Sequence, residues 1–404
     1  MKLTKKRLLT ASMCLVVLCQ WFDGPLMVGG KAVMFVTELA LYFHAGLLLL
    51  LTKGKLHFPK WIIRILLPLI IYFALHFVYS AVFLDVGNAI LTTRRLVYYP
   101  FISIVIGYST VVTIADTSIV HRVLRYMLYL SVALLLLNVG VRFHMFQEFG
   151  FISRATGVTL SALLFGFLLK LVKRQVIQKR DFWIGITAFL LIFITSSRGV
   201  YLAFFITTSL LVWQYRRHMG VVRITKLLAG GLVGLSIIGA IALSSTLVIE
   251  TLGRFSTDTS NVLSGNMGSH GAEFNTLGAR YYLYEAVFNL GMESPVFGKG
   301  SGYKVDEWHI GGTYNIDRSK TAHNHYLDIW YRLGAVGLLL FFLFYRNLLV
   351  ELKKKQESVY YMMIVALIYS SFDVMLSSTI SAIIPIFMLV GVSMYDYRLT
   401  IANK

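Results

Sequence analysis

The stretch AHNHYLDIWYRLGAVGLLLFFLFYR, residues 322–346, opens with polar groups and continues into a long apolar run. A helix that crosses a bilayer needs about 20 predominantly apolar residues. The apolar part therefore predicts a membrane span over 325–345. His323 and Asn324 then lie where the chain enters the membrane, and Asp328 and Arg332 follow just inside it.

The composition of the whole chain agrees with this local pattern. Hydrophobic residues make up 57% of the 404 residues and charged residues 14%, whereas soluble domains have roughly 45–50% and about 25%. A chain of this composition needs lipid around its apolar surface, so a soluble protein is excluded. With only 6 prolines, a proline-rich disordered chain is excluded as well.

The predicted fold class is an all-α integral membrane protein with about twelve transmembrane helices. Residues 1–249 form an N-terminal transmembrane part, 250–323 a large extracytoplasmic loop, and 324–404 a C-terminal transmembrane part. We expect short helices in the loop, one of them over 280–292, where an apolar stripe predicts a helix lying at the interface. The predicted spans are 8–22, 33–51, 62–84, 96–114, 126–141, 155–172, 182–195, 199–213, 227–249, 325–345, 359–373 and 375–396.

Positive charges assign the two sides of the membrane. The chain carries 38 Lys and Arg against 19 Asp and Glu, a net charge of +19. Most of the basic residues cluster in the N-terminus and in alternate loops, as the positive-inside rule expects of cytoplasmic segments. Both termini are therefore predicted to be cytoplasmic, and the first apolar run is expected to be an uncleaved helix. The charge is then an orientation signal, and no nucleic-acid partner is expected.

Several arginines nevertheless fall on the predicted outer side, where orientation does not require them. The planar guanidinium group suits bidentate pairing with phosphate oxygens, so these arginines as a group indicate an anionic ligand. Contact with lipid headgroups is the alternative for any single one. The residues are Arg94, Arg95, Arg142, Arg154, Arg198, Arg254, Arg280 and Arg318, of which Arg94, Arg95 and Arg154 are the weaker substrate-binding candidates.

The outer turn Thr195-Ser-Ser-Arg-Gly199 joins two predicted spans and is extremely short. The second span runs inward, so its N-terminus offers unpaired N–H groups and a positive dipole end to the outside. Ser196 or Ser197 can cap this helix, and Arg198 adds a full positive charge. The turn therefore predicts an anion site, with a plain capped helical hairpin as the alternative.

Two further segments carry candidate groups. Arg280 is followed by SPVFGKGSG, residues 294–302, whose glycines permit a tight turn with bare backbone that could approach a ligand. His323 can take a proton from a hydroxyl, because imidazole titrates near neutral pH.

Acidic and metal-binding residues give less direct information. Glu38, Asp328 and Asp373 are functional candidates because they lie at membrane depth, but the sequence does not indicate their partners. Cys14 and Cys19 both lie in the first apolar run, and the histidines lack a metal-binding spacing such as HExxH. No disulfide, metal or cofactor is therefore predicted.

Three segments together resemble successive signatures of a known family. They are SSRGVYLAF (196–204), Arg280 with SPVFGKGSGY (294–303), and AHNHYLDIWYRLGAVGLLLF (322–341). In this order, and with a large outer loop between them, they resemble the O-antigen ligase and polymerase superfamily of bacterial membrane glycosyltransferases. The resemblance covers residues 180–345, whereas the first 180 residues are similar to the family only in hydropathy.

The resemblance implies a GT-C-like membrane fold at the outer face of the bacterial plasma membrane. It implies a glycan on undecaprenyl diphosphate as donor, a second glycan as acceptor, and inverting transfer that uses no metal. By the same carry-over, Arg198 and Arg280 hold the diphosphate and His323 lies near the acceptor hydroxyl. Ser197 and Asn324 adjoin these positions as binding candidates, and His325 is outside the family pattern.

The leading hypothesis is a polysaccharide polymerase for an O-antigen, capsule or exopolysaccharide. A ligase that moves finished glycan to another acceptor is the alternative, since the donor chemistry is shared. A flippase or transporter is less favoured because the distinctive polar residues cluster on one face and in one loop, away from the midplane. A separate flippase and a chain-length regulator are candidate partners.

Overall fold

The computed structural model describes residues 4–19, 25–28, 31–58, 60–116, 118–141, 154–194, 198–217, 276–303, 308–310, 314–316, 323–373, 376 and 380–395. These residues are mostly helical. The helices are α1 (Lys5–Leu18), α2 (Val36–Thr52), α3 (Lys60–Phe83), α4 (Val86–Thr93), a π-helical turn (Arg94–Tyr98), α5 (Tyr99–Ile114), α6 (Ile119–Val141), α7 (Arg154–Val172), α8 (Lys179–Ile194), α9 (Arg198–Tyr215), α10 (Thr276–Met292), α11 (His325–Lys355), α12 (Glu357–Tyr369) and α13 (Ile380–Ser393).

The helices agree closely with the hydropathy pattern. Every predicted span overlaps a described helix, except that over 227–249, which lies outside the described residues. Within the part of the chain that the structure describes, three stretches are long and apolar enough to cross a membrane: Leu66–Phe83, Val86–Ile114 and His325–Lys355. The prediction of a helical membrane protein is confirmed. The count of about twelve spans, the GT-C-like arrangement and the three-part division of the chain stay predictions.

Short strands and the start of one helix differ from what the sequence predicts. The described ranges contain two antiparallel hairpins: β1 (Pro25–Val28) pairs with β2 (Lys31–Phe35), and β3 (Trp308–Ile310) pairs with β4 (Tyr314–Ile316). Strands this short contain too few residues for an alternating pattern to be recognised in a sequence. The helix expected over 280–292 is present as α10, which begins four residues earlier.

The fourth span also starts earlier than predicted. The expected start at residue 96 followed from the charged pair Arg94-Arg95, which interrupts the apolar run. In the structure α4, the π-helical turn and α5 form one continuous helical stretch from Val86 to Ile114. The charged pair is accommodated within this stretch because Arg94 forms an ion pair with Glu38 of α2.

Helix α13 is buried along its whole length and packs closely on α5. The contact is made at two glycines. A Cβ atom added at Gly107 would overlap the carbonyl oxygen of Met388, and one added at Gly391 would overlap that of Ile104. Small residues let the backbones of membrane helices approach in this way.

Replacing either glycine by leucine should separate these two helices. We expect Gly107→Leu and Gly391→Leu each to cost about 1–3 kcal/mol of stability, because the added side chain must displace backbone. The measurement is the unfolding temperature of the purified protein in detergent. Gly46→Leu is the matched control, since no atom lies within 4 Å of a Cβ at that position. Equal unfolding temperatures for all three variants would contradict the packing argument.

Candidate functional site

Helix α11 is broken at Gly334, where φ is 65° and ψ is −167°. The break frees backbone groups on both sides, and the segment 295–300 pairs with them. The pairs are Lys299 N–H to Tyr331 O (2.8 Å), Gly300 N–H to Arg332 O (2.9 Å), Ala335 N–H to Pro295 O (2.8 Å) and Val336 N–H to Val296 O (3.2 Å). A kinked helix is thus completed by a segment from the large loop.

The glycines of this segment make the pairing possible. Gly298 and Gly300 have positive φ, 74° and 104°, a conformation that other residues rarely adopt. A Cβ at Gly298 would overlap the backbone of Arg332, and a Cβ at Gly334 would overlap that of Val296. The close backbone approach expected of this turn is therefore an approach to α11.

The same segment is held from the other side by α3 and α4. Ser80 Oγ accepts from the Gly302 N–H at 2.9 Å and lies 3.1 Å from Ser301 Oγ. Asn88 Nδ2 donates to the carbonyl oxygen of Tyr303 at 2.9 Å. The segment is thus fixed between α3, α4 and the break in α11.

Asn324 and His323 lie at the start of α11. Asn324 Oδ1 accepts from the N–H groups of Tyr326 (3.0 Å) and Leu327 (3.1 Å), which makes it the N-cap of the helix. Its Nδ2 donates to the carbonyl oxygen of Ser371 at 2.9 Å. The amide of Asn324 is predicted to bind substrate. In the structure it caps the start of α11 and joins it to Ser371. His323 precedes Asn324 with φ of 48°.

The imidazole of His323 faces a carboxylate. Its Nδ1 lies 4.0 Å from Oδ1 of Asp373, and the two side chains are 35% and 12% exposed. The hydroxyl of Tyr369 donates to Asp373 Oδ2 at 2.6 Å. This separation is within ion-pair range but beyond hydrogen-bond distance, and a carboxylate this near favours the charged form of an imidazole. The sequence singled out Asp373 but did not indicate this partner.

The two histidines of the motif have different surroundings. His325 is fully buried, its Nε2 lies 3.2 Å from the hydroxyl of Tyr345, and its ring packs against Phe341. His323 is partly exposed beside Asp373. Of the two imidazoles, His323 has the larger exposed surface, and its role near the acceptor stays a prediction. Within the described residues, no group of three His, Cys, Asp or Glu could hold a metal ion.

Two other predicted segments approach His323. Arg198 is the first residue of α9, and a Cβ on the adjacent Gly199 would lie 2.8 Å from Cε2 of Tyr369. Tyr284, one turn after Arg280 in α10, donates its hydroxyl to the carbonyl oxygen of His323 at 2.9 Å. The first turn of α9 thus lies against Tyr369, and the turn of α10 after Arg280 is joined to the backbone of His323.

Some predicted site groups lie outside the described part of the chain. This holds for Ser197 and for the side chains of Arg198, Arg280 and Arg154. Arg154 is the first residue of α7. Their roles as diphosphate or glycan ligands stay predictions.

Arg94 forms an ion pair with a buried carboxylate. Its guanidinium lies 2.6 Å from Glu38 Oε1 and also donates to the hydroxyl of Tyr99. Glu38 is 1% exposed and accepts at its other oxygen from the N–H of Phe35 at 2.7 Å. This pairing indicates that Arg94 holds α2 to the π-helical turn. Its role as a substrate ligand stays a prediction.

Arg95 belongs to a second charged group. It interacts electrostatically with Asp328 and Arg332 of α11, which form an ion pair at 3.3 Å. Arg332 also donates to the carbonyl oxygens of Ser301 (3.2 Å) and Tyr303 (3.0 Å). The sequence indicated no partner for Glu38, Asp328 or Asp373. In the structure each of these acids has one.

The Glu38–Arg94 pair can be tested by removing one partner at a time. Arg94→Ala should cost about 3–5 kcal/mol, because it leaves a buried carboxylate uncompensated. The double variant Glu38→Gln/Arg94→Gln should recover much of this loss, since no charge remains buried. Unfolding temperatures in detergent provide the measurement. A stable Arg94→Ala protein that only binds donor more weakly would instead support a ligand role.

Residues 183–342 match a family model described as O-Antigen ligase. A comparison with curated proteins finds no match. The matched stretch runs from α8 through the large loop into α11, so it contains Arg198, Arg280, His323 and the break at Gly334. Proteins of this family are membrane glycosyltransferase-like enzymes. The resemblance of this chain to the O-antigen ligase and polymerase superfamily, first indicated by its three sequence signatures, is therefore confirmed.

Proposed function

We propose that this protein is a polysaccharide polymerase. It transfers glycan from undecaprenyl diphosphate to a hydroxyl of an acceptor glycan at the outer face of the bacterial plasma membrane. The observation that carries the proposal is the His323–Asp373 pair, whose neighbour Tyr369 and whose His323 carbonyl oxygen are contacted by the first turn of α9 and by Tyr284 of α10, respectively. A base, a helix N-terminus and two arginine-bearing segments are what glycosyl transfer from a diphosphate requires.

In the proposed reaction the acceptor hydroxyl attacks the anomeric carbon of the donor sugar. The new carbon–oxygen bond forms as the bond to the diphosphate breaks, and the lipid diphosphate leaves with the bonding electrons. Its developing negative charge is stabilised by Arg198, Arg280 and the N–H groups at the start of α9. The diphosphate is a good leaving group once paired in this way, so the step requires no metal.

The proton of the attacking hydroxyl goes to His323. Nδ1 faces Asp373, so Nε2 is the nitrogen that accepts the proton. Asp373 then stabilises the imidazolium ion, and Tyr369 holds the carboxylate in place. Attack from the side opposite the leaving group inverts the anomeric configuration.

The site's position suits a substrate that cannot leave the bilayer. His323 lies at the start of α11, which is long and apolar enough to cross a membrane. A lipid-linked donor can therefore place its diphosphate at this end of the helices while its lipid stays in the membrane. The positive-inside pattern assigns this end to the extracytoplasmic side.

A ligase is the second candidate, because the matching family model is described as O-Antigen ligase. The two activities differ in the acceptor. Purified full-length protein mixed with the lipid-linked repeat unit alone should yield longer lipid-linked chains if it is a polymerase. Transfer that occurs only when a different acceptor is added would establish the ligase and exclude the polymerase.

The catalytic assignments predict a loss of turnover. His323→Ala should lower turnover by about 10²–10⁴-fold with donor binding retained, since a general base acts in the transition state. Asp373→Asn should reduce turnover in the same direction, because the imidazolium ion loses its carboxylate. Glycan transfer and donor binding are measured separately on protein purified from membranes.

The diphosphate assignment predicts a loss of glycan transfer. Arg198→Ala and Arg280→Ala should abolish glycan transfer while the protein still inserts. Arg216→Ala is the matched control, since Arg216 is exposed at the other end of α9 and stacks on Trp213. Normal product length in both Arg198→Ala and Arg280→Ala would contradict the assignment of these two arginines to the diphosphate.

A further inference from the structure

A cavity of about 280 Å³ opens between the ends of α6, α7 and α8. We refer to it as the basic cavity. Its lining residues are Ser118, His121, Arg125, Leu163, Gly166, Phe167, Lys170, Arg180, Asp181 and Ile184. Its volume is near the lower end of the roughly 300–1,000 Å³ typical of small-molecule pockets.

The basic cavity is separate from the site at His323. His121 Nε2 lies 3.1 Å from Nε2 of Gln356, and a Cβ on Gly166 would lie 3.7 Å from Ser358, so the cavity adjoins the start of α12. Tyr369, which holds Asp373, is at the opposite end of that helix. At 1.5 Å per residue the two ends are about 18 Å apart. The positive-inside pattern assigns the cavity's end to the cytoplasm.

The charges of the basic cavity do not cancel. Lys170 and Asp181 form an ion pair at 2.8 Å. Arg125 donates from Nε to the carbonyl oxygen of His121 at 3.1 Å. Across the described parts of the chain, neither Arg125 nor Arg180 forms an ion pair with a carboxylate. Arg180 interacts electrostatically with Asp181 as well, so Arg125, Lys170 and Arg180 share one carboxylate and a net positive charge remains for an anion from outside the chain.

The walls of the basic cavity are apolar below this charged rim. Leu163, Phe167 and Ile184 line it, and Phe182 and Trp183 next to the rim are 45% and 64% exposed. Exposed aromatic residues of this kind are typical of the membrane–water interface. A free phosphate would need only the cations, whereas a phospholipid uses the apolar wall and the interfacial aromatics as well.

We propose that the basic cavity binds the headgroup of an anionic glycerophospholipid from the cytoplasmic leaflet. Arg125 and Arg180 hold the phosphate, and the acyl chains leave along Phe167 and Ile184. The bound lipid joins the ends of α6, α7 and α8. The proposal does not rest on the proposed glycosyl transfer, because it concerns other residues at the other end of the helices.

The test compares phosphatidylglycerol with phosphatidylcholine on the purified full-length protein. We expect phosphatidylglycerol to raise the unfolding temperature and to remain bound in native mass spectrometry. Arg125→Gln/Arg180→Gln should weaken this binding roughly 30-fold, the effect of losing two basic contacts to an anionic lipid. Arg216→Gln/Arg217→Gln is the matched control, since it removes two exposed arginines at the same end of the helices and should retain binding.

Three results would each overturn the proposal. They are unchanged lipid retention in Arg125→Gln/Arg180→Gln, an equal loss in the control, and an equal rise in unfolding temperature with glycerol phosphate or inorganic phosphate. If Arg125→Gln/Arg180→Gln does not fold, the wild-type protein is labelled with photoactivatable phosphatidylglycerol. Labelling of α6, α7 or α8 supports the proposal, and its absence there overturns it. None of these measurements uses glycan, so loss of transfer activity bears on the proposed function alone.

Discussion

Lipid offers no hydrogen-bond partners, so a helix that breaks at membrane depth must obtain them from the protein. Helix α11 breaks at Gly334, and the segment 295–300 supplies donors and acceptors to the backbone groups on both sides. This pairing requires two backbones in direct contact, which explains the glycines at 298, 300 and 334. The large loop is thereby tied to α11, and through Ser80 and Asn88 to α3 and α4.

The candidate site shares α11 with this arrangement, and its groups lie at helix ends. His323 and Asn324 begin α11, Asp373 follows α12, and α9 starts beside Tyr369. Helix ends carry unpaired N–H groups and polar caps, which suits them to anions and proton transfer. The interior of the bundle instead uses its charges for structure, in the pairs Glu38–Arg94 and Asp328–Arg332.

The two ends of α12 therefore have different chemistry. One end lies beside the imidazole and carboxylate of the proposed transferase site, and the other beside the basic cavity. Arginine is present at both, but its surroundings differ. An apolar wall beside exposed aromatics favours a lipid headgroup, whereas a helix N-terminus beside a base favours a diphosphate.

The sequence by itself determined the positions of the described helices and the resemblance to the superfamily, and it singled out His323 as a candidate base. Helices follow from local apolar runs because their backbone hydrogen bonds close within the segment. Only the tertiary structure decided the partners of Glu38, Asp328 and Asp373, the early start of the helical stretch at Val86, and the contact between the glycines and α11. It also created the basic cavity from three separate helices. These features join residues far apart in the chain, and the sequence pattern of one helix does not show which other helix it packs against.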